Sequence, residues 1–335
     1  MIKRNKLSIA VLIAGGALSS ATVYAEPEFY GRFSLGLVNT YDQSIDERVN
    51  KIENQSSRLG IKGKHALDNN MTLVYQYETG INPSDSTKPI FSTRNSFVGL
   101  EGTYGQIITG TFDTPLKKAQ AKVDLFNSTS FDISKYLAGE VRHKQSVQYQ
   151  TPKLMDAFRA TVDWLPAAEA DTDDGFSASL EYMGDVVGIT VAMDSKVDGD
   201  SGIVTKKEEQ LNAVRAVLSV NATDSVKLGF MVQQAEGTEA DKSEEAGWMA
   251  SASWSLNKMK LKAQLGQGVA SKDATGADSD ASLTQASLGL DYSMGKNTTA
   301  FVYTGVSRYE DGAGGTAVGE SRNDATTGLG LTYKF

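Results

Sequence analysis

Side chains alternate between apolar and polar along stretch after stretch of this chain, and beyond residue 25 it contains no run of 18 apolar residues. That excludes a bundle of membrane-spanning helices, each of which needs about 20 consecutive apolar residues. Period two places successive side chains on opposite faces of a strand. Leu329, Leu331, Tyr333 and Phe335 point one way, while Gly330, Thr332 and Lys334 point the other. Phe29, Phe33, Leu35 and Leu37 alternate with Tyr30, Arg32, Ser34 and Gly36. Val226, Leu228, Phe230 and Val232 alternate with Lys227, Gly229, Met231 and Gln233. A 40% hydrophobic content is low for a lipid-embedded chain unless only every second residue meets lipid. A closed transmembrane β-barrel meets that condition and leaves no backbone edge unpaired.

Sixteen such segments can be counted, at about 28–40, 55–65, 71–81, 90–102, 105–114, 141–151, 156–165, 174–183, 186–195, 208–220, 225–235, 246–256, 259–269, 281–293, 298–310 and 321–335. The expected fold is therefore all-β: a 16-stranded antiparallel transmembrane barrel. The even number suits a bacterial single-chain barrel, and each length suits a tilted crossing. Connections alternate in length. Short ones such as Leu67-Asp68-Asn69-Asn70 and Leu256-Asn257-Lys258 carry turn residues and fit periplasmic turns. Longer, acid- and glycine-rich ones fit extracellular loops. The connection at about 115–140 is longer than any other. All six prolines fall at expected strand ends or in connections, where a missing N–H breaks no ladder.

Residues 1–25 read as a secretory signal. Lys3, Arg4 and Lys6 precede a short apolar run, and Val23-Tyr24-Ala25 offers a cleavage site. The mature barrel would then occupy 26–335. The chain carries 41 acids against 33 bases, and the signal removes only bases. Such an acidic balance argues against nucleic acid as a partner. With no cysteine, disulfides and thiolate metal sites are excluded.

Five segments, in this order, carry a resemblance: FYGRFSLGL (29–37), SSRLGIKGK (56–64), STRNSFVGLEG (92–102), YGQIITGTFDTP (104–115) and GLGLTYKF (328–335). With the strand count they make the chain similar to the general porin family, the trimeric sixteen-stranded diffusion porins of Gram-negative outer membranes. The resemblance implies a passive, water-filled channel for ions and small hydrophilic solutes, with no enzymatic activity and no cofactor. Its implied partners are outer-membrane lipid, lipopolysaccharide and two further copies of the chain. It also implies that the third loop, here 115–140, folds into the lumen and narrows it. In the family an acidic loop edge faces a ladder of arginines. Arg32, Arg58 and Arg94 match basic positions of the first, second and fourth strands, and Arg142 matches that of the sixth, seven residues before Tyr149. Glu78 matches an acid of the third strand and Asp124 an acid of the loop. The loop departs from the enteric pattern: it has no Pro-Glu-Phe-Gly-Gly stretch and lacks a second matching acid.

Alternation independently turns these arginines inward. Arg32 lies opposite Phe33 and Leu35, and Arg58 opposite Leu59 and Ile61. Arg94 is opposite Phe97 in parity. Arg142, Lys144, Ser146 and Gln148 share a side, opposite Val147 and Tyr149. An arginine facing lipid at the midplane would cost about 2–4 kcal/mol. The expected constriction is thus Arg32, Arg58, Arg94 and Arg142 with Glu78 and Asp124, and Asp132 as a further acid. Lys62, Lys144 and Arg159 read as general lumen lining. Loop acids Asp171, Asp173, Asp174, Glu239, Asp241, Glu244 and Glu245 read mainly as a solvated surface, with divalent binding to lipopolysaccharide as the alternative. Trp164, Trp248, Trp254, Tyr77 and Tyr333 are candidates for interfacial girdles. His143 and Ser146 fall on opposite sides by parity, which argues against a Ser–His hydrolase pair.

Overall fold

A computed structural model describes residues 26–335 except 86, 88, 121–122, 168–172, 200–201, 204–209, 239–242 and 274. The expected signal segment and the acids Asp171, Glu239 and Asp241 lie outside the described residues. The chain forms one antiparallel sheet of sixteen strands. They are β1 (Glu28–Asp42), β2 (two pieces, Glu47–Asn54 and Arg58–Ala66), β3 (Thr72–Ile81), β4 (two pieces, Phe91–Thr93 and Ser96–Gly102), β5 (Gly105–Asp113) and β6 (Arg142–Gln150). Next come β7 (Phe158–Leu165), β8 (Gly175–Met183), β9 (Val187–Asp198), β10 (Gln210–Asn221) and β11 (Val226–Gly237). The sheet continues through β12 (Glu244–Leu256), β13 (Met259–Lys272), β14 (Ser282–Ser293), β15 (Thr298–Glu310) and β16 (Ser321–Lys334). Pairing of β1 with β16, from Arg32 opposite Lys334 to Tyr41 opposite Ala325, closes the cylinder.

The two faces sort as the alternation requires. Phe33, Leu37, Phe230, Leu265, Leu329 and Leu331 are exposed on the outer wall, while Ser34, Gln233, Gln264 and Thr332 are buried on the inner one. Trp164, Trp254, Tyr77 and Tyr333 are also exposed outside, and Trp248 is half-buried. Tight turns use the residues that tolerate a left-handed backbone: Asn69 and Asn70, between β2 and β3, have φ of 61° and 58°. The strand positions agree with those expected, except that β2 begins eight residues earlier. Its first piece, ERVNKIEN, carries four charges, which masks any apolar period.

Bulges interrupt several strands, and those of β4 and β6 correct the parity reading. In β2, Asn54 opposes Leu35 and Arg58 opposes Arg32, so four steps face three, with Ser56 at φ 57°. In β4, Thr93 opposes Thr79 and Phe97 opposes Gln76, so an extra residue sits at Arg94-Asn95. Phe97 therefore faces the lumen with Arg94, against Val74, Ile108 and Phe112. In β6, Ser146 opposes Gly110 and His143 opposes Phe112, with Gln145 at φ 57°. That bulge returns His143 to the side of Ser146, their side chains 3.3 Å apart, contrary to simple alternation.

The long connection between β5 and β6 runs as a strap along the inner wall. Thr114 caps a short helix, α1 (Pro115–Ala119), accepting the Lys117 N–H at 3.2 Å, and Pro115 starts it without a donor to satisfy. Beyond α1, Val123, Ile133, Tyr136 and Leu137 pack with Val217, Met231, Met249 and Leu283 of the wall. Phe126 and Phe131 pack with Val38 and Tyr303. Leu116 and Ala138 pack with Ala192, Leu211, Ala213 and Ala235. The dry core thus lies between strap and wall, where each buried aromatic or aliphatic side chain contributes about 1.5–3 kcal/mol. At its far end Ser128 Oγ meets Ser56 Oγ at the β2 bulge, 2.7 Å away. Apart from Val38 of β1, the wall residues of this dry core lie on β9 to β15, which leaves β2 to β6 clear of it.

Candidate pore constriction

The wall that the strap leaves free carries the charged side chains. Arg32 and Arg58 stand directly opposite each other across β1 and β2. Like charges in that position repel, so the pair needs water or a counter-charge. Glu78, on β3, supplies it. Its carboxylate accepts from Arg94 Nε at 2.6 Å and from the Tyr30 hydroxyl at 3.0 Å, and lies 3.3 Å from Arg58 Nε. Arg32 has no carboxylate within 4.0 Å among the described residues. Its Nη2 donates to Ser34 Oγ at 3.4 Å, and its Nε is buried without a partner.

Arg142 joins from β6. Its Nε donates to Asn95 Oδ1 at 2.6 Å and its Nη2 lies 2.9 Å from Asp113 Oδ1. Asn95 Nδ2 donates in turn to Asp113 Oδ2 at 3.0 Å. Three of the four arginines sit in or beside a bulge: Arg58 just after one, Arg94 within one, Arg142 just before one. A bulge adds a residue and bends the strand, which lets three alternate strands, β2, β4 and β6, aim long side chains at one cluster. Four guanidinium groups gather there, and among the described residues three of them contact two carboxylates while Arg32 contacts neither. Asp113, Asn95 and Tyr30 escaped the sequence reading, because nothing in their local pattern separates them from ordinary strand-end or wall residues.

Asp124 is not brought to this wall. It is buried in the strap, accepting the Phe126 N–H and the Gln264 Nε2 amide, each at 3.1 Å, and the Asn127 amide at 3.3 Å. Asp132 likewise serves the strap, accepting N–H groups of Ser134, at 2.9 Å, and Ser128. The strap edge nearest the arginine wall presents Ser128 and Ser130, the latter donating to Glu53. A hydroxyl edge thus replaces the acidic one that the resemblance implies. Lys62 is paired with Glu28 at 3.2 Å, and Lys262, below Phe126, with Asp291 at 2.8 Å. The loop acids Asp173 and Asp174 bind protein partners, Lys196 and the Trp164 indole N–H.

The strap's base is held by Arg215 of β10, which is fully buried. Its Nε donates to Gln233 at 2.7 Å and its Nη1 to Glu140 at 2.7 Å and the Leu116 carbonyl at 3.1 Å; Nη2 reaches the Ala138 carbonyl at 3.3 Å. Its signal was available in the sequence: an arginine between Val214 and Ala216, mid-strand, must face inward.

Burial, with Asp132 beside it, pushes the Asp124 carboxyl up to about 7, against the amide and N–H donors that favour the ionised form. Burial also raises Glu140, opposed by Arg215. An acid raised in the folded state adds stability below its unfolded value, and that stability is lost as pH rises through the folded value. Unfolding in detergent should therefore show stability falling by a few kcal/mol at most between pH 4 and about pH 8. Asp124→Asn keeps an acceptor without the charge and should flatten that slope. An unchanged slope would show that Asp124 stays ionised throughout.

A closed antiparallel barrel, apolar outside and charged inside with a strap narrowing its lumen, defines a transmembrane channel of the porin class. The chain belongs to the Gram-negative porin family, whose model matches residues 7–314. A major outer membrane protein P.IB of Neisseria sicca is 25% identical over 368 aligned residues, covering 99% of this chain and 100% of that protein. The anion-selective porin from Comamonas acidovorans superposes with a TM-score of 0.75 at 16% identity, over 92% of this chain and 99% of that one. The trimer form of OmpT, an outer membrane protein of Vibrio cholerae, superposes with a TM-score of 0.67 at 16% identity, over 92% and 99%. At these identities the two structures speak for the fold. The protein is an outer-membrane porin, forming a channel for ions and small hydrophilic solutes.

Proposed function

We propose that this porin is a passive diffusion channel that favours anions, exported by cleavage after Ala25 and working as a homotrimer in lipid and lipopolysaccharide. One observation supports the ion preference above the others: among the described residues, the carboxylates within 4.0 Å of Arg32, Arg58, Arg94 and Arg142 are Glu78 and Asp113 alone, and Asp124 and Asp132 of the strap are turned to other partners. Rings of fixed charge in a narrow passage set ion preference. The chain's overall acidity does not oppose this, because local charge at the narrowest level governs the passing ion, not charge beyond a Debye length of about 8–10 Å. Reconstituted into planar bilayers under a potassium chloride gradient, the protein should give a reversal potential of the chloride sign. A potassium sign would overturn the preference, and no steady conductance would overturn the channel.

The trimer finds support in the trimer form of the structurally similar OmpT. Light scattering or native mass spectrometry in detergent would test it, and an intact mass beginning at Glu26 would test the cleavage.

A further inference from the structure

We propose that inward-facing glycines of β11 to β15 are the residues that set the calibre of this channel, acting as seats for the strap. The proposal rests on the channel reading and deepens it. Gly229, Gly247, Gly266, Gly268, Gly289 and Gly305 all point into the lumen, and each lies beneath a strap residue. Val123 covers Gly229, Leu137 covers Gly247, Tyr136 covers Gly266 and Gly268, Phe126 covers Gly289 and Phe131 covers Gly305. A Cβ at Gly229 would stand 2.6 Å from Val123 Cγ1, and at Gly305 2.7 Å from Phe131 Cζ. At Gly289 it would stand 3.0 Å from Phe126 Cε1. Carbon atoms that are not bonded rest about 3.5–4.0 Å apart.

None of the six has a positive φ, so the backbone does not demand glycine at these places. Glycine weakens a strand interior and marks a close approach by another part of the molecule. Here the approaching part is the strap, and the row of seats follows it across five neighbouring strands. Each missing side chain lets the strap lie closer to its wall. The width thereby released appears on the other side, between the strap's hydroxyl edge and the arginines. A side chain grown from a seat would push the strap into the passage.

The seats differ in what else they meet. At Gly247, Gly268 and Gly305 a Cβ would also strike backbone oxygens. At Gly229, Gly266 and Gly289 the nearest atoms are all side chains: Val123 and Ser251, Tyr136, and Phe126 with Lys262. These three positions therefore report on the strap without straining the sheet.

The test uses the full-length protein with Gly229→Leu and Gly289→Leu, singly and together. Ala250→Leu and Ala286→Leu, on the outer face of β12 and β14, serve as controls. Single-channel conductance and liposome uptake of neutral sugars of increasing size are read for each. The double seat variant should lose roughly half its conductance or more and exclude the larger sugars, while keeping the sign of its reversal potential. The outer-face controls should match the parent. A folded seat variant with parental conductance and size limit overturns the proposal. If the leucine variants do not assemble, Val123→Ala with Phe126→Ala empties two seats from the other side. That pair should raise conductance or its noise, and parental traces would again overturn the proposal. A parent protein that conducts nothing would instead remove the channel reading itself.

Discussion

Arg58→Ala combined with Arg94→Ala is expected to move the reversal potential toward potassium by on the order of 10–30 mV, out of the ~59 mV of perfect selectivity in a tenfold gradient. Two effects act in the same direction. Two cationic groups leave the wall, and Glu78, which both of them contact, loses these two counter-charges. Its carboxylate has a side-chain exposure of only 8%, so little water compensates it. Arg32 and Arg142 remain, which is why the shift stays partial. Adding Glu78→Gln should reverse part of it. An unchanged potential in the double variant would show that ions do not pass this level of the wall closely enough to sense it. The barrel should stay folded, since the strand ladders of β2 and β4 do not depend on either side chain.

Arg215→Ala should have the largest effect on the strap. It removes a fully buried guanidinium that holds Glu140, the carbonyls of Leu116 and Ala138, and Gln233. Breaking a buried pair from one side costs about 3–5 kcal/mol, because the other charge is left in a dry place. The cost falls on both ends of the strap, since Leu116 begins it and Glu140 ends it. Conductance should become larger and noisier, and amide exchange should accelerate over residues 114–141 while the strands remain protected. Arg215→Met with Glu140→Gln should recover much of the parent's behaviour, as it removes both charges of the pair. Equal exchange in parent and Arg215→Ala would show that the apolar packing alone holds the strap.

The strands and the direction of most wall residues were legible because a barrel has one strict rule. Phe33 and Leu37 meet lipid, Ser34 meets the lumen, and the sequence states the choice residue by residue. Arg32 and Arg58 followed from the same rule, whereas Arg94 and Arg142 lie across bulges from the residues that set their parity. The rule fails where its assumption does. Phe97 and His143 were assigned the wrong face because a bulge inserts one residue and flips every later side chain. Asp124 was matched by its place along the loop, but position along a loop does not say which way the loop lies. The carboxylate turned to Gln264 and its own backbone instead of the pore.

Alternation by itself determined the sixteen strands, the closed wall, the lipid face and the basic character of the lumen. It could do so because strand periodicity is local and bilayer solvation is uniform around the wall. Tertiary structure alone decided where the strap lies, which carboxylates neutralise which arginines, and why glycines recur on the inner face of β11 to β15. Those depend on contacts between residues far apart in the chain, such as Val123 with Gly229 or Glu140 with Arg215, which no local pattern encodes.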